Sequence, residues 1–135
     1  MPVRTTGSIS YADWKEEEIR AVEDGPKLSH ATVANTFTGG IEAARTDCDY
    51  NIVYTGATTG VFTGLELLTG RLDGREGTFV LEEHGAFHED GTVTCTFTVV
   101  PGTGTGALTG LRGSGEYTCR AGEQAFPYTF EYEPA

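Results

Sequence analysis

The stretch Thr58–Phe87, TTGVFTGLELLTGRLDGREGTFVLEEHGAF, decides the fold. At its centre stands Leu72-Asp73-Gly74-Arg75, and Asp-Gly supplies the positive φ angles that a two-residue type I′ hairpin turn needs. With Asp73 and Gly74 as the loop, the register follows by stepping outward. Leu72 faces Arg75, Gly70 faces Gly77, Leu68 faces Phe79, Glu66 faces Leu81, Gly64 faces Glu83 and Phe62 faces Gly85. One face of this hairpin carries Phe62, Leu68, Phe79, Leu81 and Phe87, spaced by Gly60, Gly64, Gly70, Gly77 and Gly85. Two carboxylates, Glu66 and Glu83, fall on that apolar face as diagonal neighbours, with Cβ atoms expected roughly 7–8 Å apart.

Working outward, Glu89-Asp90-Gly91 predicts a three-residue loop with a G1 bulge. Its register puts Val93, Cys95, Phe97 and Val99 on the face of Glu83 and Phe87, so two hairpins agree on one apolar face. Lys27–Gly39 alternates through Ala31, Val33 and Phe37 and reads as a strand. Gly39-Gly40 turns the chain into Ile41–Tyr54, whose set Glu42, Ala44, Thr46, Cys48, Tyr50, Ile52 and Tyr54 is expected to be buried. Met1–Tyr11 reads as a strand. Lys15–Gly25 reads as a solvated connection, with a helical turn through Glu16–Glu18. Leu111–Cys119 and Ala125–Tyr132 complete the set, with Phe126, Tyr128, Phe130 and Tyr132 on one face. About eight strands with short turns and no long helix predict an all-β fold, a single small antiparallel barrel over residues 1–135, with a sandwich as the alternative.

Composition bounds the function. The 135 residues suit one domain, and the 19 glycines alternate with β-formers rather than forming low-complexity runs. A net charge of -11 repels phosphate backbones and anionic lipid, so neither nucleic acid nor a membrane is the expected partner. No apolar run reaches a membrane span, which leads us to expect a cytoplasmic protein. Cys48, Cys95 and Cys119, an odd set inside strand-like segments, are expected as free thiols.

Several chemistries can be weighed. Glu66 and Glu83 on an inward face cannot both stay ionised cheaply, and one protonated and one ionised carboxyl form an acid/base pair. The structural alternative pairs them with Arg45 or Arg112. Glycines on an inner face leave space for a ligand, or let a small barrel bend. Tyr50, Tyr54, Tyr128, Tyr132 and Trp14 are candidates to line a lumen or fill a core. His84 and His88 with Glu82 suggest a metal, but strand positions four apart lie about 13 Å from one another, so no metal and no cofactor are expected. The Gly102–Gly106 run lacks the Lys-Ser/Thr of a phosphate loop. An outer stripe of Val61, Leu65, Leu67 and Val80, with an Arg71–Glu76 pair, suggests a homo-oligomer contact unless Lys15–Pro26 covers it.

Four segments carry a resemblance: GPKLSHATV (Gly25–Val33), Phe62–Gly85, VVPGTGTGALTGLRGSG (Val99–Gly115) and PYTFEY (Pro127–Tyr132). Together they resemble the bacterial DUF3224 family, which is similar in fold to allene oxide cyclase. The resemblance implies a small barrel with an apolar lumen in a class that includes small-molecule cyclases. Two departures from the family pattern stand out: Glu82-Glu83 stands where Gln-His is usual, and His30 where Arg is usual. The functional expectation is a cofactor-independent isomerase or cyclase for an apolar small molecule. Glu66 and Glu83 would be its catalytic groups, and Tyr50, Phe62, Leu68, Phe79, Leu81, Phe97 and Tyr128 its ligand contacts. A non-catalytic lipophile-binding barrel and a filled structural barrel are the alternatives.

Overall fold

The structure, a computed structural model, describes residues 2–133. Met1, Pro134 and Ala135, the ends of the expected single domain, lie outside the described residues. Eight strands form a closed antiparallel barrel in sequence order: β1 (Val3–Ala21), β2 (Lys27–Gly39), β3 (Ile41–Tyr54), β4 (Gly60–Leu72), β5 (Arg75–Phe87), β6 (Val93–Val99), β7 (Arg112–Cys119) and β8 (Ala125–Glu133). Each strand pairs with its chain neighbour, and β1 closes the ring on β8. A single 3₁₀ turn, Gly106–Leu108, interrupts the loop between β6 and β7. Among the described residues no helix is long and apolar enough to cross a membrane.

The central hairpin has the register that its turn predicts, from Leu72 opposite Arg75 to Gly60 opposite Phe87. Asp73 (φ 47°) and Gly74 (φ 85°) supply the left-handed pair, and Gly91 (φ 86°) does so in the next loop. Both hairpins therefore aim one residue set inward, and the closed ring makes that side an interior.

Two segments differ from the sequence reading, and for the same reason. Lys15–Gly25 is solvated, but only residues 22–25 are a connection and there is no helical turn: β1 runs on to Ala21, paired with β2 as far as Ala21 opposite Lys27. A register shift between Ala12 and Lys15, with Asp13 at φ 59°, restarts the ladder with β2 beyond the last β8 partner of β1, Ser10. This length of β1 is exposed on both faces and so shows no apolar alternation. In β3 the expected buried set holds from Thr46 through Cys48, Tyr50 and Ile52 but fails at the start of the strand, where Ile41 and Ala43 are buried and Glu42 and Ala44 exposed. The register shift between Glu42 and Asp47 sets two successive residues, Ala44 and Arg45, outward and inverts the parity.

The interior divides along the barrel axis. At one end Ile41, Leu68, Leu72, Phe79, Phe130 and Tyr132 pack with Leu108 and Leu111 from the β6–β7 loop, so that loop plugs the barrel. Tyr128 pins the same end by accepting from the Ile41 backbone N–H at 2.8 Å and donating to the Thr38 carbonyl at 2.9 Å. Tyr132 donates to Asp73. The other end holds a smaller cluster of Ala31, Val33, Cys48, Tyr50, Ile52, Phe62 and Cys95.

The inner glycines do not leave empty space. A Cβ at Gly64 would stand 2.5 Å from Tyr50 Cδ1, one at Gly85 2.2 Å from Phe62 Cζ, and one at Gly115 2.6 Å from Phe97 Cζ. Each seats an aromatic ring from a neighbouring strand flat against the wall. Glycine here sets ring orientation rather than cavity volume.

Candidate functional site

At the end opposite the plug, the barrel encloses a cavity of about 360 Å³, within the range of small-ligand pockets. Its walls are aromatic and aliphatic, with Tyr11, Trp14, Phe62, Phe87, Phe97 and Phe126 among them. Its mouth stands where Trp14, 40 % exposed, and the half-buried Phe87 and Val93 ring the strand ends. Two carboxyl groups sit in the interior wall, Glu66 at 1 % exposure and Glu83 at 2 %.

Register explains why both point inward. Glu66 lies between Cys48 on β3 and Leu81 on β5, and Glu83 lies between Gly64 on β4 and Phe97 on β6. All four neighbours face the lumen, so an odd-for-even slip would be needed to expel either carboxyl. One oxygen of each carboxyl and the Cys48 sulfur lie within 4.8 Å of one another.

The two groups have different partners. Glu66 Oε2 accepts from Asn35 Nδ2 at 2.9 Å and from the Thr46 hydroxyl. Glu83 Oε1 accepts from the Tyr50 hydroxyl at 3.0 Å and stands 3.7 Å from Cys95 Sγ, while Cys48 Sγ is 3.7 Å from Glu83 Oε2. The Tyr50 and Tyr117 hydroxyls are 3.4 Å apart. Burial pushes the Glu83 carboxyl well above the ordinary range, and the hydrogen bond and negative charge of Glu66 push it further. The Tyr50 and Cys95 donors offset part of that rise. Glu83 is thus driven towards its protonated form. Burial also raises Tyr50 and Tyr117 well above a normal phenol and the Cys48 and Cys95 thiols well above a normal thiol. The site holds Glu83, two phenols and two thiols towards their protonated forms. It offers hydrogen-bond donors and acceptors but no ready thiolate nucleophile.

Of the residues expected from sequence, Glu66, Glu83, Tyr50, Phe62, Leu81 and Phe97 all line the cavity. Leu68, Phe79 and Tyr128 do not. They belong to the plugged end, and the Tyr128 hydroxyl is committed to backbone groups of the β2–β3 turn. Tyr54 stands at the rim, stacked on Phe87 at 5.8 Å between ring centres. Neither arginine reaches the carboxyls: Arg45 pairs with Asp13 on the outside at 3.2 Å, and Arg112 is exposed. The outer Arg71–Glu76 pair is present at 3.1 Å. His84 is on the outer surface, 3.6 Å from Glu82, and His88 contacts Thr94 at 2.9 Å, so these histidines do not share a site. Among the described residues, the metal-spaced group is the interior Cys48, Glu66 and Glu83.

Sequence reasoning missed Asn35, Thr46 and Tyr117. A signal existed for the first: Asn35 sits on the same parity of β2 as Ala31, Val33 and Phe37, so a polar side chain on that face had to meet an interior polar partner.

The likeness to known proteins follows the whole barrel. Across its full length the chain is similar to the crystal structure of a protein with unknown function from the DUF3224 family from Shewanella oneidensis MR-1. The identity is 27 %, the TM-score 0.78, and 99 % of that chain is covered. No curated protein matches the chain. The family described as "Protein of unknown function (DUF3224)" matches residues 5–132, which takes in all eight strands but for the outermost residues of β1 and β8. The chain belongs to the DUF3224 family.

Proposed function

We propose that the barrel binds an apolar small molecule in its lumen and transfers protons on it, as a cofactor-independent isomerase or cyclase. The observation that carries this reading is the Glu66–Glu83 pair, both buried, adjacent, differently partnered and set in the wall of an apolar cavity, with Glu83 driven towards its protonated form. Such a pair suits concerted acid/base work, because one protonated and one ionised member would act as acid and base. Glu83 would give its proton to one atom of the ligand while Glu66 takes one from a C–H at another, so that the double bond moves and the proton count of the ligand is unchanged. The proton then on Glu66 passes to Glu83, which restores the starting state without an external donor. Tyr50 would orient Glu83, and Asn35 and Thr46 would hold Glu66. The resemblance to allene oxide cyclase points to the same class of rearrangement.

A second reading is favoured by a specific observation. Both carboxyls already have protein donors, which suits fixed polar contacts for the end of a lipophilic ligand in a non-catalytic binding barrel. Glu66→Gln separates the two. In the enzyme, turnover of a ligand recovered by native mass spectrometry of the purified protein falls at least a hundredfold with binding retained. Turnover unchanged by the substitution would reject the catalytic role.

The free thiols Cys48, Cys95 and Cys119 support a cytoplasmic setting. The outer stripe Val61, Leu65 and Leu67 is 52–57 % exposed and supports association with a second copy of the chain. The Lys15–Pro26 segment does not cover that stripe, because it pairs with β2 rather than lying over β4.

A further inference from the structure

We infer that the ligand of this cavity is an apolar or aromatic amine or imine, taken up as its cation. The inference rests on the reading of the cavity as a binding site and adds the charge that its occupant must carry.

Three observations converge on that charge. First, the cavity wall contains two carboxyls and, among the described residues, no lysine, arginine or histidine. The nearest cationic candidates by sequence, Arg45 and Arg112, are outside. The two carboxyls stand in an apolar interior with only neutral donors, Asn35, Thr46 and Tyr50, to balance a charge on either. A buried charge without an opposite charge is expensive, and a bound cation removes that cost. An anionic ligand would add to it.

Second, the other polar atoms at the pair suit a donor-rich ligand. The hydroxyl oxygens of Tyr50 and Tyr117 are neutral acceptors beside the carboxyls, and an ammonium or iminium group brings N–H donors and no acceptor.

Third, the walls are ring faces. Tyr50 lies 4.9 Å from Phe62 and 6.1 Å from Trp14 between ring centres, and Tyr117 lies 4.8 Å from Phe126. Aromatic faces attract a desolvated cation and bury the apolar body attached to it. The field of the molecule acts in the same direction, since the net charge is -11 and Glu16 is held at the rim by Trp14 and Tyr54. For an iminium ligand, the nitrogen charge also acidifies the neighbouring C–H, the proton that Glu66 would take.

The test compares three probes of one shape: 2-phenylethylamine, 2-phenylethanol and 3-phenylpropionate. Trp14 is the chain's single tryptophan and lines the cavity, so its fluorescence reports occupancy directly, with calorimetry as the second readout. The amine should bind at least tenfold more tightly than the alcohol, and the propionate more weakly than either. Glu66→Gln should abolish the preference for the amine while leaving affinity for the alcohol. The wild-type ranking stands as a test by itself if that variant does not fold. Alcohol or propionate binding as tightly as the amine overturns the cation inference and leaves the cavity reading intact. Failure of all three to bind overturns both.

Discussion

Glu83 makes the stability of this barrel fall as pH rises, and Glu83→Gln isolates the effect. The carboxyl is buried and its proton affinity is raised by burial first and by Glu66 second. Below the ordinary carboxyl range, folded and unfolded chains both carry the proton and nothing is lost. As pH climbs through that range the unfolded chain releases the proton, while the folded chain keeps it. Protons bound are then fewer in the unfolded state, so stability falls with pH until the raised value of the folded state is reached. One proton corresponds to about 1.4 kcal/mol per pH unit, so from about pH 5 to about pH 7 the loss is about 3 kcal/mol. A glutamine is neutral throughout, keeps the shape, and its amide can still donate to Glu66. Urea unfolding of both proteins across this range should therefore show the variant gaining on wild type by about 1.4 kcal/mol for each pH unit. Taking the difference cancels the groups that both proteins share. A difference that stays flat with pH would mean that Glu83 is ionised in the fold, and the protonated acid of the proposed mechanism would be lost with it.

Other consequences can be measured on the same protein. Gly64→Ala should cost about 1–3 kcal/mol in urea unfolding, because its Cβ would stand 2.5 Å from the ring of Tyr50 and 2.7 Å from a backbone oxygen. Leu68→Ala should cost about 2–5 kcal/mol yet leave probe affinity unchanged, since Leu68 belongs to the plugged end. Thiol labelling of the folded protein should reach Cys119 first, with Cys48 and Cys95 reacting only on unfolding. Leu65→Asp should convert any assembly seen by native mass spectrometry to monomer, because Leu65 is central to the exposed outer stripe.

How much of this was legible depends on where turn chemistry or an unbroken alternation supplied the register. Asp73-Gly74 and Gly91 demand positive φ, so two hairpins could be aligned residue by residue, and the inward direction of Glu66 and Glu83 followed. Where the ladder is bulged, parity alone misleads. Ala44 and Arg45 carry no turn signal, and the resulting inversion hid Ile41 and Ala43 from the expected core. The same limit applied to β1 beyond Asp13, which no apolar period marks because neither face is buried. The candidate carboxyls were visible as charges on an apolar face. Most of their partners were not: Asn35 and Thr46 reach Glu66 from β2 and β3, and Tyr117 joins only through the Tyr50 hydroxyl, pairings that alternation alone does not specify. Leu68, Phe79 and Tyr128 show the complementary limit. Alternation tells inside from outside, but not which end of the barrel the β6–β7 loop will fill.

The length of β1 that runs on along β2 beyond its last β8 partner has a consequence for the molecule's behaviour in a crowded solution. A closed barrel has no open strand to recruit a neighbour, but β1 loses its β8 partner after Ser10 while continuing to Ala21. That length is an unsatisfied edge, the feature by which β-proteins stick to one another. Along it the chain places Lys15, Glu16, Glu17, Glu18 and Arg20. Two such edges meeting would bring acidic runs together and strip water from them. The charges that concealed this strand from its sequence pattern are also what keep it from templating aggregation.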